Sequence, residues 1–314
     1  MDRLPTEILL LIANYTDDRP SFRALSECCW RFFNIYQPFY YSSLDIRYVS
    51  PEIHIPLVQY LFQRPELAQH VRWLQFGWST DCYKFCEKSY IGDWHTTSTP
   101  KFVETSLSEI FEADEDKSRW SAHLKAGCSE AWMGLLFTQL DHLERLELSY
   151  QWSPPIFHEV LTRAILQRRP FHDKSPFPDL QEVTVNPFDI DGAISCDSVR
   201  LFFYLPAVRK IKADGVFEST PFMEGEAVSD LSATYMTKSK VTQIEMYRTQ
   251  QFMAMNKWIA LCDRIEHLDI SIGIDPSLET YLNYDSRMKK ASTGFFDVLG
   301  MKCQAEGINL TVIY

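Results

Sequence analysis

One pattern constrains this chain more than any other feature: apolar, two residues, apolar, one residue, apolar. It reads Val71-Leu74-Phe76 in VRWLQF, Leu143-Leu146-Leu148 in LERLEL and Leu180-Val183-Val185 in LQEVTV. It returns as Val208-Ile211-Ala213 in VRKIKA, Val241-Ile244-Met246 in VTQIEM and Ile265-Leu268-Ile270 in IEHLDI. Apolar-x-apolar is the alternation of a short strand with one face buried, and INLTVIY near the end reads as a last strand. Between copies the spacing changes to a helical one. In Ile156–Arg169 the apolar residues fall at 157, 160, 161, 164 and 165, and Gln251–Cys262 carries Phe252, Met255, Ile259 and Cys262. Strand then helix, repeated, predicts units that bury their apolar faces only by stacking on one another. The alternative is an ordinary α/β domain whose strands share one pattern.

The copies are unevenly spaced. They start 37 residues apart (143 to 180), then 28 (180 to 208), 33 (208 to 241) and 24 (241 to 265). Leucine-rich repeats have periods of about 20–29 residues, so the fold class expected is mixed α/β, an irregular leucine-rich-repeat-like solenoid over 46–314. Two stretches interrupt it. Residues 77–139 contain the polar WHTTSTPK and the acidic EADEDK, with helices on either side, and 214–240 reads as a long loop. Long loops inside compact domains are usually functional or disordered.

Alternation also locates a surface. The residue between the last two apolar positions points away from the core: Gln75, Glu147, Thr184, Lys212, Glu245 and Asp269. Two residues earlier stand Trp73, Arg145, Glu182, Lys210, Gln243 and His267. Such a mixed polar face suits protein binding, and it equally suits any solvated sheet. Aromatic residues follow several strands: Trp78, Tyr150 with Trp152, Phe188, and Tyr247 beside Arg248. They form either a binding rim, since aromatics and Arg dominate hot spots, or core beneath the loops. The candidate target contacts are Gln75, Trp78, Glu147, Tyr150, Thr184, Lys212, Glu245, Tyr247 and Asp269.

The first 45 residues have a different character. In LPTEILLLIANY, Pro5 suits the first turn of a helix and Glu7 suits its positive end. Ile8, Leu11, Ile12 and Tyr15 share a face, and Leu9 and Leu10 widen it beyond what a lone surface helix needs. The start lacks the basic n-region and small-residue cleavage site of a signal peptide. A second helix is expected over FRALSECCWRFFNIY, ending at Gln37-Pro38. These residues together resemble the F-box, a small helical module that docks F-box proteins onto the Skp adaptor of SCF-type ubiquitin ligases. The resemblance is carried by Leu4-Pro5, Glu7-Ile8, Ile12, Leu25, Cys28-Cys29, Arg31-Phe32, Pro38 and Tyr40. The family more often has Val or Leu at Cys28 and Lys or Arg at Trp30. With the repeats behind it, the chain is similar to fungal F-box proteins with irregular leucine-rich repeats. The resemblance implies an adaptor-binding set of Leu4, Pro5, Ile8, Leu9, Ile12, Leu25, Cys28 and Phe32. It also implies a cullin-RING ligase reached through the adaptor, and an unknown target protein on the repeats. A helical hairpin capping a larger domain is the plainer alternative for these residues. An adaptor-bound role outside ubiquitination is the alternative for the function.

Other classes are disfavoured. A net charge of −11 without a basic run argues against nucleic acid. No apolar stretch approaches the ~20 residues that span a bilayer. Eight scattered cysteines point to reduced thiols in the cytoplasm or nucleus. No P-loop, G-x-G-x-x-G, G-x-S-x-G or H-E-x-x-H is present. Cys82 and Cys86, with His95 beyond, lack the second pair a zinc site prefers. An enzyme would have to be built around Cys128 with His123 or His142 as base, or around a cluster within 77–139. The expectation is no catalytic residue, no metal and no cofactor.

Overall fold

The computed structural model describes residues 4–16, 19–78, 101–150, 155–189, 192, 194–217, 238–249, 258–272, 299–305 and 307–313. Every copy of the apolar-x-apolar pattern lies on a strand of one parallel sheet. Numbered in chain order, its strands are β1 (Ser43–Ile46), β2 (Trp73–Trp78), β3 (Arg145–Tyr150), β4 (Glu182–Pro187), β6 (Lys210–Asp214), β8 (Gln243–Thr249), β9 (His267–Ile272) and β10 (Asn309–Ile313). The short β5 (Ile194–Ser195) and β7 (Val216–Phe217) pair separately. The eight strands sit side by side in the order in which the chain makes them. A doubly wound α/β domain reverses strand order at a switch point, and this sheet does not, so the solenoid expectation holds over the ordinary α/β one.

The register of the two apolar rows is kept from β1 to β10. Leu44, Leu74, Leu146, Val183, Ile211, Ile244, Leu268 and Leu310 form one row, and Ile46, Phe76, Leu148, Val185, Ala213, Met246, Ile270 and Val312 the next. Both rows are buried up to β10, where Leu310 and Val312 are half-buried. The leading residue of each copy, from Val71 to Ile265, is buried in the turn before its strand.

Helices cover the apolar side. Among them are α4 (Pro51–Gln63), α5 (Pro65–Ala68), α6 (Lys101–Ile110), α7 (Asp114–Lys125), α8 (Ser129–Phe137) and α9 (Pro155–Ile165). The second half of the expected 77–139 interruption is thus three helices, and Val103, Leu107, Trp120, Leu136 and Phe137 place them in the main core. Residues 79–100, and 218–237 of the second interruption, lie outside the described residues. Two details fix the helical layer. A side chain at Gly134 would stand 3.0 Å from the Trp120 ring and 3.3 Å from Val160, so glycine lets α8 seat against α7 and α9. Buried Glu130 accepts the backbone N–H of Phe157 at 2.7 Å, satisfying one of the donors that the first turn of α9 leaves open. The helix expected over 156–169 stops at Ile165. Of that expected over 251–262, residues 258–261 are helical and 251–257 lie outside the described residues.

The N-terminal segment folds as α1 (Thr6–Asn14), α2 (Arg19–Cys28) and α3 (Trp30–Ser42) around its own small core of Leu9, Ala13, Phe22, Phe32 and Tyr36. Arg31 donates to the Leu4 carbonyl at 2.6 Å, and the Tyr36 hydroxyl to that of Leu9 at 3.3 Å. The expected second helix is two, broken at Cys29, whose backbone is extended. It also runs through Pro38 to Ser42. The proline deprives the carbonyl of Asn34 of its donor, and Asn34 is exposed, which keeps that loss small. β1 follows directly and straddles the expected boundary between residues 45 and 46.

Candidate functional site

The polar side of the sheet carries two aligned rows. Gln75, Glu147, Thr184, Lys212, Glu245 and Asp269 are register partners, extended by Asp45 on β1 and Thr311 on β10. Trp73, Arg145, Glu182, Lys210, Gln243 and His267 form the neighbouring row with Ser43 and Asn309. All six middle residues expected from alternation therefore share one line. Sequence reasoning missed Asp45. The signal was present: Tyr41-Leu44-Ile46 repeats the pattern with tyrosine in the leading place.

Much of this face is bonded to itself. Glu147 accepts from Arg47 at 2.7 Å, Gln75 at 2.9 Å and Asn186 at 3.2 Å. Glu245 receives Lys210 at 2.5 Å, Gln243 at 2.8 Å and the Tyr247 hydroxyl at 3.1 Å. Lys212 lies 2.7 Å from Glu182 and 3.9 Å from Glu245. Burial pushes the Glu182 carboxyl upward, but the hydrogen bond and charge of Lys212, aided by Lys210 and Arg145, hold it below the usual range. Burial and then Glu245 raise the Tyr247 phenol. Between Met246 and Thr249 the pairing of β8 with β9 shifts register. There Arg248 takes a left-handed backbone, φ 47°, of the kind that re-aims a side chain at a bulge. Its guanidinium donates to both oxygens of Asp214 at 2.7 Å.

The aromatic candidates divide by strand parity. Tyr150 continues the inward series Leu146, Leu148 and is buried, so its expected place in a target-binding set is corrected: it is core, and burial raises its phenol. Trp78 is its register partner on β2. Tyr247 stands on an outward position of β8, and Phe188 follows the end of β4. Tyr247 is exposed, while Phe188 packs against Tyr48 with ring centroids 5.7 Å apart. Trp152 lies outside the described residues. Alternation counted two residues further would have separated these cases.

The second surface lies on α1. Leu9 and Ala13 face inward, while Ile8, Leu10, Leu11 and Tyr15 are exposed, at 42%, 40%, 50% and 83%. Of the expected adaptor-contacting residues, Pro5, Ile8 and Cys28 are exposed and Leu4, Ile12 and Leu25 are half-buried. Leu9 and Phe32 belong to the module's own core and offer no surface to a partner, which corrects their assignment. Leu10, Leu11 and Tyr15, which sequence reasoning left out of the set, are the residues of α1 exposed beside Ile8. Trp30 is a further exposed aromatic, stacked on Phe33 at 5.2 Å.

Among the described residues no group of three or more His, Cys, Asp or Glu could hold a metal ion, and no helix is long and apolar enough to cross a membrane. Cys82, Cys86 and His95 lie outside the described residues. Cys128 is buried at the start of α8. No curated protein matches the chain. No F-box family model matches it. A family model described as a leucine-rich repeat domain matches residues 46–263, more than half of the chain and five of the eight strands of the main sheet in full. The aligned parallel ladder and this match agree, and the chain belongs to the leucine-rich repeat domain family.

Proposed function

We propose that this chain is the substrate-recognition subunit of an SCF-type ubiquitin ligase, docking the Skp adaptor through α1–α3 and a target protein through the polar face of the repeat sheet. A leucine-rich repeat domain suggests a protein-interaction role. The observation that carries the finer reading is the outer face of α1. Ile8, Leu10, Leu11 and Tyr15 stay exposed although Leu9 and Ala13 already close the module's core. Exposed apolar side chains gathered on one short helix, with Ile8, Leu11 and Tyr15 on one face, suit a partner's footprint. The F-box resemblance of the segment, in which Ile8 takes part, names that partner.

In this reading the chain supplies no catalytic group. It acts by proximity, raising the local concentration of target lysines beside a ubiquitin-carrying enzyme. The adaptor brings the cullin and its RING subunit, and the whole works in the cytoplasm or nucleus. No metal, cofactor or nucleic acid enters the mechanism. Co-purification with the Skp adaptor tests it. Wild type is expected to bind, and Ile8→Asp with Leu11→Asp to abolish binding while leaving the circular dichroism spectrum unchanged. Absence of binding by wild type, or unchanged binding by the double variant, refutes the reading.

A further inference from the structure

The cations on the sheet's polar face are unequally engaged. Arg47 lies 2.7 Å from Glu147, Lys210 2.5 Å from Glu245, Lys212 2.7 Å from Glu182 and Arg248 2.7 Å from Asp214. Arg145 differs. Its nearest carboxylate, Glu182, is 3.9 Å away, too far for a hydrogen bond. Glu182 is hydrogen-bonded to Lys212 and meets Arg145 through charge alone, which leaves the guanidinium's donors for another acceptor. The Arg145 side chain is 61% exposed, against 25–40% for the other four. Its register partner on β2 is Trp73, one of the exposed large apolar residues. An exposed indole beside a guanidinium that, among the described residues, meets its one carboxylate only at ion-pair distance is the composition of an interface hot spot. A planar guanidinium with free donors takes a carboxylate through two parallel hydrogen bonds.

We infer that Arg145 and Trp73 form the anchor for the target, receiving a segment in which an Asp or Glu side chain adjoins a large apolar residue. The carboxylate pairs with Arg145 and the apolar side chain covers Trp73. The clusters around Glu147 and Glu245 frame the anchor without being opened, since parting a hydrogen-bonded, half-buried charge pair leaves both groups unsatisfied. The inference rests on the reading that the repeat sheet holds a target.

A random dodecamer peptide library displayed on phage, panned against the full chain, tests it. Enriched peptides are expected to share an Asp or Glu next to Leu, Ile, Phe, Met or Trp. Synthetic versions are expected to lose at least about tenfold in affinity on Arg145→Glu, and several-fold on Trp73→Ala, with thermal midpoints of both variants near wild type. Replacing the peptide's acid by Lys is expected to restore binding to Arg145→Glu in part. Failure to enrich any peptide, enrichment without an acidic residue, or peptides that bind Arg145→Glu as well as wild type would overturn the anchor. Adaptor co-purification does not involve these residues, so loss of the anchor with adaptor binding intact rejects this inference alone.

Discussion

At the scale of single residues, the fold depends on a few polar groups placed where apolar ones would be expected. Glu130 is buried, and its carboxylate takes the Phe157 N–H at the start of α9. Removing it takes away a hydrogen bond to a charged group inside the protein, a loss of about 1–3 kcal/mol. Glu130→Ala is therefore expected to lower the unfolding free energy by that amount, read from urea denaturation, with Glu130→Gln losing less because its amide oxygen still accepts. His158 gives the pH dependence. Burial holds its imidazole at about 3, below the ordinary value of about 6.5. The unfolded chain therefore takes up the proton first. The contribution of neutral His158 is complete above pH 6.5 and is lost as pH falls from there toward 3. Thermal midpoints at pH 7 and pH 5 should differ more for wild type than for His158→Gln, and equal differences would remove His158 as the cause. None of this was legible from residue types: Glu130 and His158 carry no pattern, and the Glu130 bond arises only where α8 meets the start of α9.

At the scale of elements, the strands were the most legible part and the helix faces the least. A strand has two faces, so alternation alone assigned Gln75 through Asp269 to one line. Alternation also explains the correction at Tyr150, which follows Leu148 on the inward side. A helix apolar on most sides has no unique inward face. Ile8, Leu11 and Tyr15 read as a stripe as good as Leu9 and Ala13, and only the packing of α1 on α3 through Leu9, Phe32 and Tyr36 chooses between them. β2 offers a sharp test of the ladder. A side chain at Gly77 would meet the Arg47 carbonyl oxygen at 2.9 Å and that of Ser149 at 3.2 Å. Both obstacles are backbone, so Gly77→Val is expected to cost about 1–3 kcal/mol as overpacking, read as a lower denaturant midpoint. A neutral result would mean that β1 and β3 sit further from β2 than described.

At the scale of the whole molecule, two hydrophobic clusters matter: a small one within α1–α3 and a large one beneath the sheet. Leu9 is fully buried in the small cluster. Leu9→Ala should destabilise the N-terminal helices by about 2–5 kcal/mol while leaving the repeat sheet unchanged. Hydrogen exchange would show faster opening over residues 4–42 and unaltered protection in β2–β9; uniform loss of protection would instead make the two clusters one cooperative unit. The repeat region declared itself through a period, and the family match confirms it over 46–263. The N-terminal module has no period, so its reading rests on a few fixed positions and on an apolar surface that the fold leaves uncovered. Its central claim is adaptor docking by that surface. The most direct measurement is the affinity of the purified full chain for the Skp adaptor, by calorimetry, for wild type, Leu11→Asp and Arg145→Glu. The account predicts tight binding by wild type and Arg145→Glu and none by Leu11→Asp. No binding by wild type, or equal binding by all three, would contradict it.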